Sequence, residues 1–120
     1  MDIIINVFIA LLIIAFIYRQ LFPVQGVKQI EAEELKKVLK NKQCEFIDVR
    51  TPFEFQANNI CGFKNIPLQQ LKARHQELSK DKEIVVICQS GMRSNRATRI
   101  LKKLGYKKLT NVKGGMSAWR

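Results

Sequence analysis

Residues 84–94 read Ile84-Val85-Val86-Ile87-Cys88-Gln89-Ser90-Gly91-Met92-Arg93-Ser94. A continuous apolar run with no polar alternation fits a strand buried on both faces, as in the middle of a parallel sheet. Gln89–Met92 reads as a loop. Ser94–Leu104 reads as a helix, with Ala97, Ile100, Leu101 and Leu104 inward and Gly105 in its C′ position. A buried strand that hands the chain to a helix through a short glycine-containing loop is a βα unit.

The same alternation extends to both sides. Cys44–Val49 is rich in β-formers and reads as a strand running into Asp48-Val49-Arg50. Thr51-Pro52-Phe53-Glu54 is a helix start, with Thr51 as N-cap, Pro52 at the first helical position and Glu54 closing a capping box. Upstream, Val24–Lys28 is a linker or first strand, and Ile30–Lys40 an amphipathic helix with Glu31, Glu33 and Glu34 in its first turn. Downstream come a short strand around Asn65-Ile66, a helix over Leu68–Leu78, a strand at Leu109–Val112 and a last short helix after Gly114-Gly115. Strands alternating with helices predict an α/β domain with a mostly parallel sheet.

Before this domain the chain is of another kind. From Ile3 to Tyr18 the only non-apolar residue is Asn6, and no Lys or Arg precedes Arg19. As a helix that run spans about 24 Å, and extension through Leu21 and Phe22 reaches about 30 Å, the thickness of a hydrocarbon core. The division is therefore a membrane anchor over 1–22, a linker over 23–26 begun by Pro23, and a domain over 27–120. A cleaved signal peptide is the rival, but its basic n-region and small-residue cleavage motif are missing. Arg19 and Lys28 lie only on the far side of the run, which predicts a single-pass protein with its N-terminus outside and its domain in the cytoplasm.

The 120 residues carry a net charge of +11. No basic stretch is interleaved with aromatics, so nucleic acid is not the expected partner. A solvated basic surface beside an anionic membrane, and a field that attracts small anions, both fit. The three cysteines, Cys44, Cys61 and Cys88, and the single His75 supply neither a CxxC pair nor a zinc ligand set, and no metal or cofactor is expected.

Open α/β sheets place ligands outside the carboxyl ends of their strands, and Cys88 stands at such an end. The following helix turns its first N–H groups and the positive end of its dipole toward the loop, which favours an anion and a thiolate. Gly91 lets the loop turn and its amides converge. Arg93 has the fork geometry to bind a doubly charged anion through two parallel hydrogen bonds. A thiolate in an anion cradle suits attack on an anionic sulfur or phosphorus compound.

Four motifs together resemble the rhodanese family. Cys88-Gln89-Ser90-Gly91-Met92-Arg93-Ser94 resembles its C-x-x-G-x-R-[ST] loop, and Asp48-Val49-Arg50-Thr51-Pro52-Phe53-Glu54-Phe55 its D-V-R-x-x-x-E-[FY] element. Asn65-Ile66-Pro67 matches its N-I-P, and Gly114-Gly115-Met116-Ser117-Ala118-Trp119 its closing G-G-x-x-x-W. The order and spacing are the family's, over about residues 27–120. The resemblance implies a three-layer α/β domain with a central, mostly parallel five-stranded sheet. It implies that Cys88 takes sulfur from a small anionic donor such as thiosulfate as a persulfide, and that cyanide, a thiol or a protein acceptor removes it. Residues Gln89, Ser90, Gly91, Met92 and Arg93 would form the loop that holds the outer sulfur, with Asp48, Arg50 and Ser94 in support. The chain departs from the family at Asn59 and Cys61, where His and Pro are usual, outside the catalytic loop. Cys61 reads either as inert or as a resolving thiol. A persulfide carrier with little small-molecule turnover, a phosphatase or arsenate reductase on the same fold, and a scaffolding module are the competing functions. Cys44 reads as a filler at a strand start, His75 as a solvated residue on a polar helix face, and Trp119 as core.

Overall fold

The structure, a computed structural model, describes residues 1–22 and 24–120. Pro23, read as the end of the anchor, lies outside the described residues. The domain holds five strands, β1 (Lys28–Ile30), β2 (Cys44–Asp48), β3 (Lys64–Asn65), β4 (Glu83–Ile87) and β5 (Leu109–Val112). All pairings are parallel, in the order β1-β5-β4-β2-β3, with the apolar run of β4 in the middle.

Pleating sends alternate side chains to opposite faces, and the two faces have separate cores. Ile84, Val86 and Cys88 join Ile47 and Val49 of the neighbouring strand under α4 (Leu71–Arg74) and α5 (Met92–Lys103). Val85 and Ile87 join Phe46, Ile60 and Phe63 under α2 (Ala32–Val38) and α6 (Gly115–Ala118), where Leu35 and Met116 pack. The buried β-branched residues of β4 remove apolar surface on both sides, at roughly 1.5–3 kcal/mol each.

Three expectations shift. The first helix begins at Ala32 and not at Ile30, because Lys28–Ile30 pairs with Thr110–Val112 as an edge strand. Glu31 becomes the N-cap of α2, in a reciprocal capping box with Glu34. Leu68–Leu78 is not one helix but a 3₁₀ turn (Leu68–Gln70), the short α4 and a second 3₁₀ turn (His75–Glu77). Only Leu71 and Leu78 of this segment are fully buried, too few to hold a regular amphipathic helix against the sheet. His75 is half-buried, with its ring Nδ1 3.2 Å from the Tyr106 hydroxyl. Trp119 packs half-buried against the α2 and α6 core, with the Lys36 ammonium over its ring. α3 (Pro52–Ala57) starts as read, with Thr51 and Glu54 completing the capping box.

α1 (Asp2–Leu21) is a 20-residue helix, long and apolar enough to cross a membrane, and its apolar side chains from Ile3 to Tyr18 are exposed. Its far end is fastened to α5. Asn95 donates to the Phe22 carbonyl at 2.7 Å and accepts from Val24 N–H at 3.2 Å. Arg99 donates to the Arg19 carbonyl at 2.8 Å.

Candidate active site

In the strand order, β2 and β4 are neighbours whose following connections run in opposite directions, to β3 on one side and β5 on the other. Such a reversal leaves a crevice at the carboxyl ends of the two strands. β2 delivers Asp48, Val49 and Arg50 to it, and β4 delivers Cys88.

Cys88 is 1% exposed. Its Sγ accepts the Gly91 backbone N–H at 2.9 Å and lies 3.3 Å from Ser94 Oγ, which itself donates to the Gly91 carbonyl at 3.1 Å. The loop can curl its amide onto the sulfur only because Gly91 takes a φ of +110°, where a side chain is strained. Gly91 is also the N-cap of α5, with no side chain to satisfy the first amides of that helix. Those amides and the dipole therefore favour negative charge in front of the helix, where Cys88 sits.

The loop is clamped from below by α6. Met116 N–H donates to the Cys88 carbonyl at 2.8 Å, and Ser117 N–H and Oγ donate to the Gln89 carbonyl at 2.9 and 2.8 Å. Gly115 makes the approach possible: a Cβ there would stand 2.2 Å from the Cys88 oxygen. In the sequence Gly114-Gly115 reads as a turn, and the paired glycine within the closing motif is the only local signal of this contact.

Asp48 and Arg50 form a buried pair beside the loop. Arg50 donates through Nε to both Asp48 oxygens at 3.0 Å and through Nη2 to Oδ2 at 2.8 Å. The rest of its fork reaches the Asn58 carbonyl at 2.5 Å and Gln89 Oε1 at 3.3 Å. Asn65 Nδ2 holds the Asp48 and Arg50 carbonyls at 3.0 and 2.9 Å. With all three of its side-chain nitrogens engaged, Arg50 touches the loop through Gln89.

The Arg93 fork, expected to meet an anion, is paired within the protein. Its Nη1 and Nη2 close on Glu54 Oε1 and Oε2 at 2.6 and 2.9 Å, so the fork faces a carboxylate of the protein and not an open anion site. The hydrogen bonds from Arg93 and then those from Thr51 hold the Glu54 carboxyl at about 2, and Glu54 in turn raises Arg93. Glu54 thus caps α3 and ties it to α5 across the crevice. The capping box was legible; the partner 39 residues away was not. Ser90 completes the loop, and Met92, expected within it, is the first residue of α5 and 47% exposed.

The other thiols lie elsewhere. Cys44 is buried at the start of β2, at the opposite end of the sheet, and its thiol points at Glu83 Oε2, 3.5 Å away. Cys61 is exposed in the turn that precedes β3.

The rhodanese-like domain family matches residues 31–120. The chain is 38% identical over 112 residues to a Bacillus subtilis protein named uncharacterized protein YqhL, covering 93% of this chain and 84% of that one. It is 33% identical over 94 residues to a sulfurtransferase of Allochromatium vinosum, covering 78% of this chain and 88% of that one. The crystal structure of a rhodanese-like domain protein from Staphylococcus aureus superposes with a TM-score of 0.73 at 32% identity, over 78% of this chain and 92% of that one. The five-stranded parallel sheet, the cysteine loop at its centre and these likenesses agree: the chain belongs to the rhodanese-like family.

Proposed function

We propose that this protein transfers sulfur, and that it does so through a persulfide on Cys88 with thiosulfate or a similar anion as donor. The observation that carries the reading is Cys88 Sγ at the mouth of the central strand, receiving the Gly91 amide at 2.9 Å in front of α5. The likeness to a protein named sulfurtransferase, along nearly its whole length, supports the reaction class.

The Cys88 thiolate attacks the outer sulfur of thiosulfate. The S–S bond of the donor breaks and sulfite leaves with the electron pair. The outer sulfur, now bonded to Cys88, carries the negative charge toward the amides of residues 89–93. An acceptor nucleophile, cyanide or a thiol, then attacks that sulfur, and Cys88 departs as thiolate. Asp48 and Arg50 brace Gln89, and Ser94 braces Gly91, so the amides are oriented before the donor arrives. Loop length favours sulfur over phosphorus. Cysteine phosphatases need C-x₅-R to surround a phosphoryl group, and here four residues separate Cys88 from Arg93.

The test is turnover. Thiosulfate and cyanide should yield thiocyanate in the steady state, and Cys88→Ser should yield none. Sulfur uptake without steady-state turnover would instead make the protein a carrier in a protein-to-protein relay.

The same proposal places α1 across a membrane with the N-terminus outside and the domain in the cytoplasm. The long exposed apolar helix and the basic residues confined to its far side support it. Protease added to intact cells should leave the domain whole; its degradation from outside would reverse the topology.

A further inference from the structure

Exposed apolar side chains scattered singly over a surface carry no message. Here they are not scattered. Among the described residues after Phe22, the exposed large hydrophobics are Phe53, at 81%, and Met92. Both flank the active site: Met92 follows the Gly91 whose amide meets the sulfur, and Phe53 precedes the Glu54 that grips Arg93. A cleft of about 430 Å³ has Thr51, two residues before Phe53, and Arg93, next to Met92, in its lining. Val49, Leu68 and Ile100 give the cleft an apolar lining. Lys72 and Arg96 also line it, are exposed, and form no ion pair among the described residues. No acidic residue lines it.

A small inorganic donor has no use for a bare phenyl ring or for an apolar cleft lining. We infer that this rim and cleft form a docking surface for a protein sulfur acceptor whose reactive cysteine is flanked by apolar and acidic residues. The inference rests on the sulfur-transfer reading and names the acceptor's chemistry. An apolar side chain of the acceptor covers Phe53 and Met92, and its acidic segment enters the cleft between Lys72 and Arg96. The net charge of +11 draws an acidic partner from a distance. The acceptor thiolate attacks the outer sulfur of the Cys88 persulfide anion; the S–S bond breaks, its electron pair stays on Cys88 Sγ as thiolate, and the acceptor leaves as a persulfide anion, with no proton transferred. No oxidant or reductant is consumed.

The experiment uses the full chain in nanodiscs, loaded with sulfur from thiosulfate, and two synthetic cysteine peptides of equal length. One carries Leu and Glu around its cysteine, the other Leu and Lys. The acidic peptide should show a KM at least about tenfold lower than the basic one. Phe53→Ser, and Lys72→Glu with Arg96→Glu, should each raise the KM of the acidic peptide about tenfold while cyanide discharges Cys88 within about twofold of the unaltered rate. Equal KM values for the two peptides, or variants that slow peptide and cyanide alike, would overturn the docking inference and leave sulfur transfer standing. Failure of thiosulfate to load Cys88 at all would bring down both.

Discussion

Cys44 and Cys88 are both buried thiols on adjacent parallel strands, and they differ in which end of the sheet they occupy. Cys44 opens β2 in register with Glu83, and its thiol meets a carboxylate. Burial raises its pKa first, and the Glu83 charge raises it further. Cys88 follows the last residue of β4, and its sulfur meets an amide and the start of a helix. They also face opposite layers, Cys88 the α4–α5 core and Cys44 the α2–α6 core. A strand's carboxyl end collects donors from the loop and helix that follow it, whereas its amino end here collects an acceptor. Burial alone therefore does not separate an inert thiol from a nucleophile; the polarity of the surrounding groups does.

The largest expected effect breaks the pair at Cys88. Cys88→Ser should lower sulfur transfer by about a thousandfold or more, because a hydroxyl cannot replace the thiolate nucleophile. Thiocyanate release measures it.

Next in size is Gly115→Ala, which drives a Cβ into the Cys88 carbonyl at a φ of +53°. Denaturant unfolding should show a loss of about 2–4 kcal/mol. An unchanged midpoint would mean that α6 does not clamp the loop.

Glu54→Gln sharpens the electrostatic side of the contrast. The Glu54 carboxyl sits at about 2 in the fold against an ordinary 4.5. Between those values the unfolded chain binds more protons than the folded one, so the pair's contribution is full above pH about 4.5 and fades as pH falls toward 2. Discounted for solvent screening of a partly exposed pair, it is about 1 kcal/mol. Glu77, held at about 2 by Arg74 and then Lys64, titrates in the same window. The difference between wild type and Glu54→Gln in acid unfolding therefore isolates Glu54, and parallel curves would remove the role assigned to it.

The smallest effects belong to the other cysteines. Cys44→Ser keeps a donor toward Glu83, and Cys61→Ser alters an exposed side chain, so both should transfer sulfur within about twofold of wild type. A hundredfold loss from Cys61→Ser, with the fold intact, would make it a resolving thiol.

What could be read beforehand follows the range of each interaction. The β4 run, the Thr51–Glu54 capping box, Gly91 and the position of Cys88 are local signals, written within a few residues of one another. The Arg93–Glu54 fork joins two helices 39 residues apart, and so an arginine suited to an anion proved to hold a carboxylate of its own chain. Gly115 carries only the signal of a turn until α6 is seen pressed against the loop. Ile30 favours helix and strand alike on pattern, and pairing with Val112 decided it. The partner of the His75 ring, Tyr106, lies 31 residues away and leaves no local signal.

The central claim, that the donor-lined thiol and not its neighbours carries sulfur, is tested most directly by intact mass spectrometry of the full chain after incubation with thiosulfate. The mass should rise by one sulfur atom, cyanide should remove it, and the gain should persist in Cys44→Ser and Cys61→Ser but vanish in Cys88→Ser. Sulfur retained in Cys88→Ser, or no uptake together with cleavage of an aryl phosphate through Cys88, would contradict the account.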